Sequence, residues 1–194
     1  MWPKSLLALL LLTSIAAADG PVKALGVETA PIRAEIFSDY QCPACSAFFQ
    51  EAVKPLIENY VNQGKVYLVH REFPLQGHQY ARQAARYATA AASIGRYEDV
   101  AAALFEQQAF WSKDGNIERT LAGVLSPAEL KKVRQLTQDP RTDAFIQKDV
   151  DDGTKAGIRQ TPTMILTYRL RTYPLSGGLK YSMLSRLLDS LLNQ

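Results

Sequence analysis

Apolar residues fall along this chain in three spacings. From Leu6 to Leu12 they run without a break, behind Lys4 and ahead of Ala16-Ala17-Ala18. That run is too short for a bilayer, which needs about 20 residues, and no second stretch is long enough. A basic start, an apolar centre and a small-residue end predict a cleavable signal peptide over residues 1–18. An uncut N-terminal anchor is the alternative. Short runs rich in apolar and aromatic residues predict strands: PIRAEIFSDY around Ile36 and Phe37, KVYLVHREF over 65–73, and TMILTY followed by RTYPLS as a closing hairpin. That hairpin lacks the usual Asn-Gly turn, which blurs its register.

The third spacing is helical. Cys45, Phe48, Phe49, Ala52, Val53, Leu56 and Ile57 recur at three- and four-residue intervals until Gly64. Pro43 falls in the first turn of that helix, where a missing N–H is harmless. Pro55 predicts a kink or a split. Further helices are predicted at roughly 79–94, 97–110, 116–124, 127–138 and 141–156. Ser126 to Glu129 (SPAE) reads as a capping box with Pro127 at the first helical position, and Asp139 before Pro140 as a second N-cap. A last helix carries Tyr181, Leu184, Leu187 and Leu188 on one face. The order is strand, helix, strand, several helices, two strands, helix.

Of 194 residues, 22 are Lys or Arg and 19 Asp or Glu, a net charge of +3. The cations are scattered, with no basic run interleaved with aromatics, which speaks against nucleic acid as a partner. After cleavage, residues 19–194 are long enough for one domain with a substantial core. No cysteine follows the cleavage site, so a lipid-anchored start is not expected.

The composition changes the picture most through its two cysteines, Cys42 and Cys45. Structural disulfides of exported proteins usually tie distant segments together. A bridge between these two closes so small a loop that it contributes only about 2 kcal/mol, against about 4.7 for a 100-residue loop. Reversible redox chemistry explains the spacing better. Cys42 would sit at a helix N-terminus, where free N–H groups and the helix dipole favour an anion. A thiol of ordinary pKa, about 8.5, is only some 3% thiolate at pH 7. Lowering it to about 5 gives about thirtyfold more of the reactive form. Cys45, one turn on and facing the core, would be the resolving thiol.

With that unit in place, the chain resembles the DsbA-like branch of the thioredoxin superfamily. SDYQCPAC looks like the active-site stretch of that family. VYLVHREFPLQGHQYARQAARYATAA, residues 66 to 91, is similar to its strand followed by the first helix of an inserted helical domain. GIRQTPTMIL, residues 157 to 166, looks like its cis-proline loop, with Pro162 preceded by Thr161. The resemblance implies an α/β thioredoxin-like fold, a central mixed sheet flanked by helices, with an all-helical subdomain inserted. The core would be residues 28–73 and 157–194, the insertion 74–156, within a domain spanning 19–194. It implies an extracytoplasmic thiol–disulfide oxidoreductase. Cys42 would be the nucleophile and Cys45 the resolving cysteine, with Pro43 and Ala44 tuning their potential. Thr161 and Pro162 would present backbone to an extended substrate chain.

The sequence also departs from the family. Its usual acid six positions before the first cysteine is replaced by Ile36. The acid is Glu35, which should face the other side of the strand as a solvated or sheet-edge carboxylate. The Pro43-Ala44 pair lacks the histidine of the strongest oxidants in the family, which predicts a less extreme potential.

The expected activity is donation of the Cys42–Cys45 disulfide to folding exported proteins with free thiols. No cofactor beyond that disulfide is expected. A membrane redox partner would recycle it, in the periplasm or outside the cell. No dimerisation segment precedes the catalytic unit, which favours a monomer. The rivals are a reductase or isomerase of the same fold, or a non-catalytic zinc- or client-binding protein. Zinc would need Cys42, Cys45, His70 and His78 together, but their spacing is wrong for compact sites and no metal is expected. His70 reads better as a packed strand residue, and His78 as an N-terminal helix residue. Phe48, Phe49, Phe105, Phe110 and Trp111 are expected mostly in the core or between subdomains, with a minority in an exposed apolar patch beside Cys42.

Overall fold

A computed structural model describes residues 20–194. The signal-peptide expectation lies outside these residues. Five strands form one mixed sheet in the order β1-β3-β2-β4-β5. Central β2 (Ile32–Ser38) pairs in parallel with β3 (Val66–Glu72) and antiparallel with β4 (Thr163–Tyr168). The hairpin partner of β4 is β5 (Arg171–Ser176), and the short β1 (Ala24–Leu25) adds an edge beside β3, ahead of the residue 28 at which the core was expected to begin.

Alternation along β2 explains its placement. Ile32, Ala34 and Ile36 enter the main core, while Arg33 and Glu35 take the opposite face. At the C-terminal end both faces are covered, because Phe37 packs with Phe73 and Ile158 in a second apolar cluster. Gly153, in the helix across that face, lies so close to the Phe37 and Phe73 rings that a Cβ would come within 2.9 Å of each.

Helix α1 covers residues 43–61 and contains two wide i→i+5 turns, Phe49–Val53 and Ile57–Val61, on either side of Pro55. Of the kink or split expected at Pro55, the split does not occur. Widened turns shift the hydrogen-bond register around a residue that has no N–H to give, so the helix continues.

Between β3 and β4 come α2 (Ala81–Ala92), α3 (Tyr97–Glu106), α4 (Gln108–Trp111), α5 (Ile117–Leu121), α6 (Pro127–Thr137) and α7 (Pro140–Lys155). The expected helix over 97–110 is divided at Gln107, where φ −102° and ψ 17° leave the helical range. Ser126 and Glu129 form the capping box, and Asp139 caps α7 by accepting from the Arg141 N–H. Helix α8 (Tyr181–Leu192) buries Leu184, Leu188 and Leu191, with Tyr181 and Leu187 partly buried against the core, so the expected face packs inward and extends to Leu191.

The β4–β5 hairpin closes in register, Tyr168 opposite Arg171, through the two residues Arg169 and Leu170. Arg169 takes the left-handed φ of 47° that a glycine or asparagine would usually supply. The register is therefore sharp. Pro174 sits on the outer strand, where a missing donor does no harm. The architecture is the expected α/β one, a mixed sheet flanked by helices with an all-helical segment between its third and fourth strands.

Candidate active site

The chain leaves the sheet at Ser38 and turns into α1 at Cys42, whose extended backbone (φ −75°, ψ 119°) makes it the N-cap, with Pro43 following. The Cys42 carbonyl accepts from the N–H groups of Cys45 and Ser46 at 3.0 and 3.2 Å. Both sulfurs are free thiols and both residues are buried, with Pro43 and Ala44 exposed above them. The Thr161–Pro162 bond is cis, and the Thr161 carbonyl lies 3.6 Å from the Cys42 Sγ. The structure thus brings Cys42, Cys45, Thr161 and Pro162 together.

The two thiols are driven apart. A bond from the Cys45 thiol does most to hold the Cys42 pKa down at about 5. Burial opposes it, and Thr161 and the N–H groups of Cys45 and Ala44 add to the lowering. Burial pushes the Cys45 thiol far up, and its contact with Cys42 pushes in the same direction. Cys42 is thus held towards its thiolate, and Cys45 towards its protonated form.

Asp39 organises the turn, a role not legible in the sequence. Its N–H points at the Cys45 Sγ (3.5 Å) and its carbonyl accepts from the Cys42 N–H (3.1 Å). Its buried carboxylate accepts from the N–H groups of Gln41 and Leu75 at 2.7 and 2.8 Å, and meets the His78 Nδ1 at 2.7 Å. His78 therefore lies in the loop before α2 and serves the active-site turn, not a helix start. The Gln41 amide accepts from the Tyr80 N–H, and Gln108 donates to the carbonyls of Tyr40 and Cys42. Only the nearness of Asp39 and Gln41 to the dithiol could have flagged any of these.

Below the turn lies a polar cluster. Glu35 does point away from Ile36, but it is no edge carboxylate, because β2 is central. Burial pushes its pKa up, and bonds from Arg71 and Arg33 outweigh that and hold it below the usual range. A buried acid in the cluster is Glu72 on β3, raised to about 8, chiefly by burial, with the Tyr40 hydroxyl 3.5 Å away. Lys23 pairs with Asp149 and stands 3.8 Å from Glu72. Close pairing with Asp149 occupies the lysine, so its attraction does not overcome the burial of Glu72.

His70 packs against Tyr97, and burial lowers its pKa to about 4. Among the described residues, the two histidines and the dithiol do not converge into a ligand set. Phe48, Phe49, Phe105 and Trp111 are buried as expected, but Phe110 is 66% exposed. Helix α4 is a single turn with Gln108 and Trp111 inward, which leaves position 110 outside.

A dithiol at the start of the helix that follows the central strand, beside a cis-proline loop, defines a thioredoxin-fold protein carrying a helical insertion. The comparisons with known proteins agree. The thioredoxin family model matches residues 19–189. A probable disulfide bond formation protein D from Bacillus cereus is 36% identical over 55 residues, which span 28% of this chain and 26% of that protein. A thioredoxin-like oxidoreductase structure from Silicibacter pomeroyi aligns with TM-score 0.75 and 25% identity, covering 91% of this chain and 95% of its own. Alpha-DsbA1 from Wolbachia pipientis aligns with TM-score 0.75 and 22% identity, covering 88% and 90%. The chain belongs to the thioredoxin family.

Proposed function

We propose that this protein is an extracytoplasmic protein-disulfide oxidoreductase that donates the Cys42–Cys45 disulfide to folding exported proteins. The observation that carries this reading is the opposed pair of thiols, Cys42 held as an anion at the helix start and Cys45 held protonated beneath it.

The chemistry follows from that pair. A client thiolate attacks the Cys42 sulfur; the Cys42–Cys45 bond breaks, and its electrons go to Cys45, which takes up a proton. A second client thiolate attacks the client sulfur of the mixed disulfide and expels Cys42 as a thiolate. The client gains a disulfide, and the protein is left with a Cys42 thiolate and a Cys45 thiol. A low-pKa leaving group speeds the second step, and a stabilised thiolate favours the reduced protein, so the disulfide is readily given away. The Thr161 carbonyl and Pro162 lie where an extended client would lay its backbone beside Cys42. No cofactor besides the disulfide takes part. A membrane redox partner recycles it, residues 1–18 direct export, and the protein acts as a monomer.

The test is the reduction potential of the pair in glutathione buffers. A Cys42 pKa of about 5 lies between those of the strong oxidant and the reductase of this fold class. The potential should therefore fall between about −120 and about −270 mV. A value at or below the lower limit would make the protein a reductase. Cys42→Ser should abolish thiol exchange; retained client binding with no wild-type exchange to lose would make it a binding protein instead.

A further inference from the structure

We propose that Gln108 is a positioning residue for the dithiol: reaching out of the helical insertion, it fixes the turn whose N–H groups face the Cys42 sulfur. This rests on Cys42 being the reactive thiol.

Residues 39–42 join β2 to α1 without regular structure of their own. The Gln108 amide nitrogen donates to the Tyr40 carbonyl at 2.6 Å and to the Cys42 carbonyl at 2.9 Å. An amide carries two N–H donors, one for each carbonyl, so a single side chain ties both ends of the bend. The Cys42 carbonyl that Gln108 holds also accepts from the Cys45 and Ser46 N–H groups at 3.0 and 3.2 Å, so it fixes the first turn of α1, whose free N–H groups lie at the sulfur.

Gln108 is itself well placed to hold still. It is buried on α4, and that turn is anchored by Trp111, fully buried with its Nε1 donating to the Leu104 carbonyl at 2.7 Å. Gln41 returns the tie by donating to the Ser112 carbonyl at 3.4 Å. A one-turn helix has no stability of its own, so its order comes from these contacts. Such a clamp acts on the chemistry because the charge on Cys42 exists in the thiolate and not in the disulfide. Donors held in place stabilise only the reduced form.

Gln108→Met keeps length and removes both donors without adding charge; Gln108→Glu keeps shape but sets a carboxylate against two carbonyls. The readouts are the pH profile of Cys42 alkylation and the equilibrium of the full protein with glutathione. In Gln108→Met the thiolate at pH 4 should fall about tenfold, and the equilibrium should move about tenfold towards the disulfide, a potential about 30 mV lower. Gln108→Glu should move both further. A Met variant that melts earlier yet keeps the wild-type alkylation midpoint and glutathione equilibrium overturns the proposal and leaves Gln108 a packing residue. If Gln108→Met does not fold, Gln108→Asn serves. One methylene shorter, it can reach only one carbonyl and should shift both readouts part of the way; unshifted values overturn the proposal. A wild-type Cys42 with an ordinary midpoint overturns it too, by removing the reactive thiolate itself, and this is told apart because no variant is involved.

Discussion

The turn at the head of α1 and the polar cluster beneath it are both buried, yet they treat ionisable groups in opposite ways. At the turn, Cys42 is driven towards its charged form although it is nearly covered. In the cluster, Glu72 and His70 are driven towards their neutral forms, the acid up to about 8 and the imidazole down to about 4. Burial disfavours charge in both places. The difference lies in donors. The Cys42 sulfur faces a helix N-terminus and a neighbouring thiol, whereas Glu72 has one hydroxyl at 3.5 Å and a lysine already paired with Asp149. Burial and the donors aimed at an atom compete; at Cys42 the donors win, and at Glu72 burial does.

Three measurements would break or sharpen this contrast. The largest effect should come from the one lysine of the cluster. Lys23→Met leaves Asp149 with Arg71 and the Glu72 N–H, and Glu72 with the Tyr40 hydroxyl, and should cost about 3–5 kcal/mol of stability in urea, as the loss of one partner of a buried pair does. A loss under about 1 kcal/mol would mean that water reaches the cluster.

Next comes the turn. A depressed thiol pKa stabilises the reduced fold above the ordinary thiol value, and that contribution disappears as pH falls through about 5. Relative to the oxidised protein, which has no thiol to titrate, the reduced protein should lose about 2 kcal/mol between pH 7 and pH 4, allowing for solvent screening. Parallel stability curves for the two redox states would contradict a buried thiolate.

The opposite sign of pH dependence belongs to Glu72→Gln. Because the folded pKa is raised, the folded acid keeps a proton that the unfolded chain gives up, and stability declines as pH rises from about 4 to about 8. Glutamine does not titrate and can still accept from Tyr40. The variant should match wild type near pH 4 and exceed it by about 4 kcal/mol at pH 8. A pH-independent difference would show that Glu72 is not held neutral by burial.

The chain order of elements, the capping box at Ser126, the cap at Asp139 and the dithiol at a helix start were all legible in the sequence. Each is written within a few residues: apolar spacing repeats over one or two turns, and a cap reaches only the next turn of backbone. Local rules mislead where packing can absorb an offence. Pro55 widens its helix instead of splitting it, and Arg169 accepts a left-handed turn because the strands beside it set the register. What only the tertiary structure decided is which polar groups meet. Asp39 finds His78 across 39 residues, Gln108 finds the Cys42 carbonyl across 66, and Lys23 finds Asp149 across 126. Partners of that kind are fixed by the stacking of whole elements, and no spacing along the chain encodes them. The sequence alone thus determined that this protein carries a dithiol at a helix start on an α/β frame, with Cys42 the sulfur placed to bear charge. The folded arrangement decided which residues surround the pair: Thr161 at the Cys42 sulfur, Asp39 at Cys45 and Gln108 at the turn.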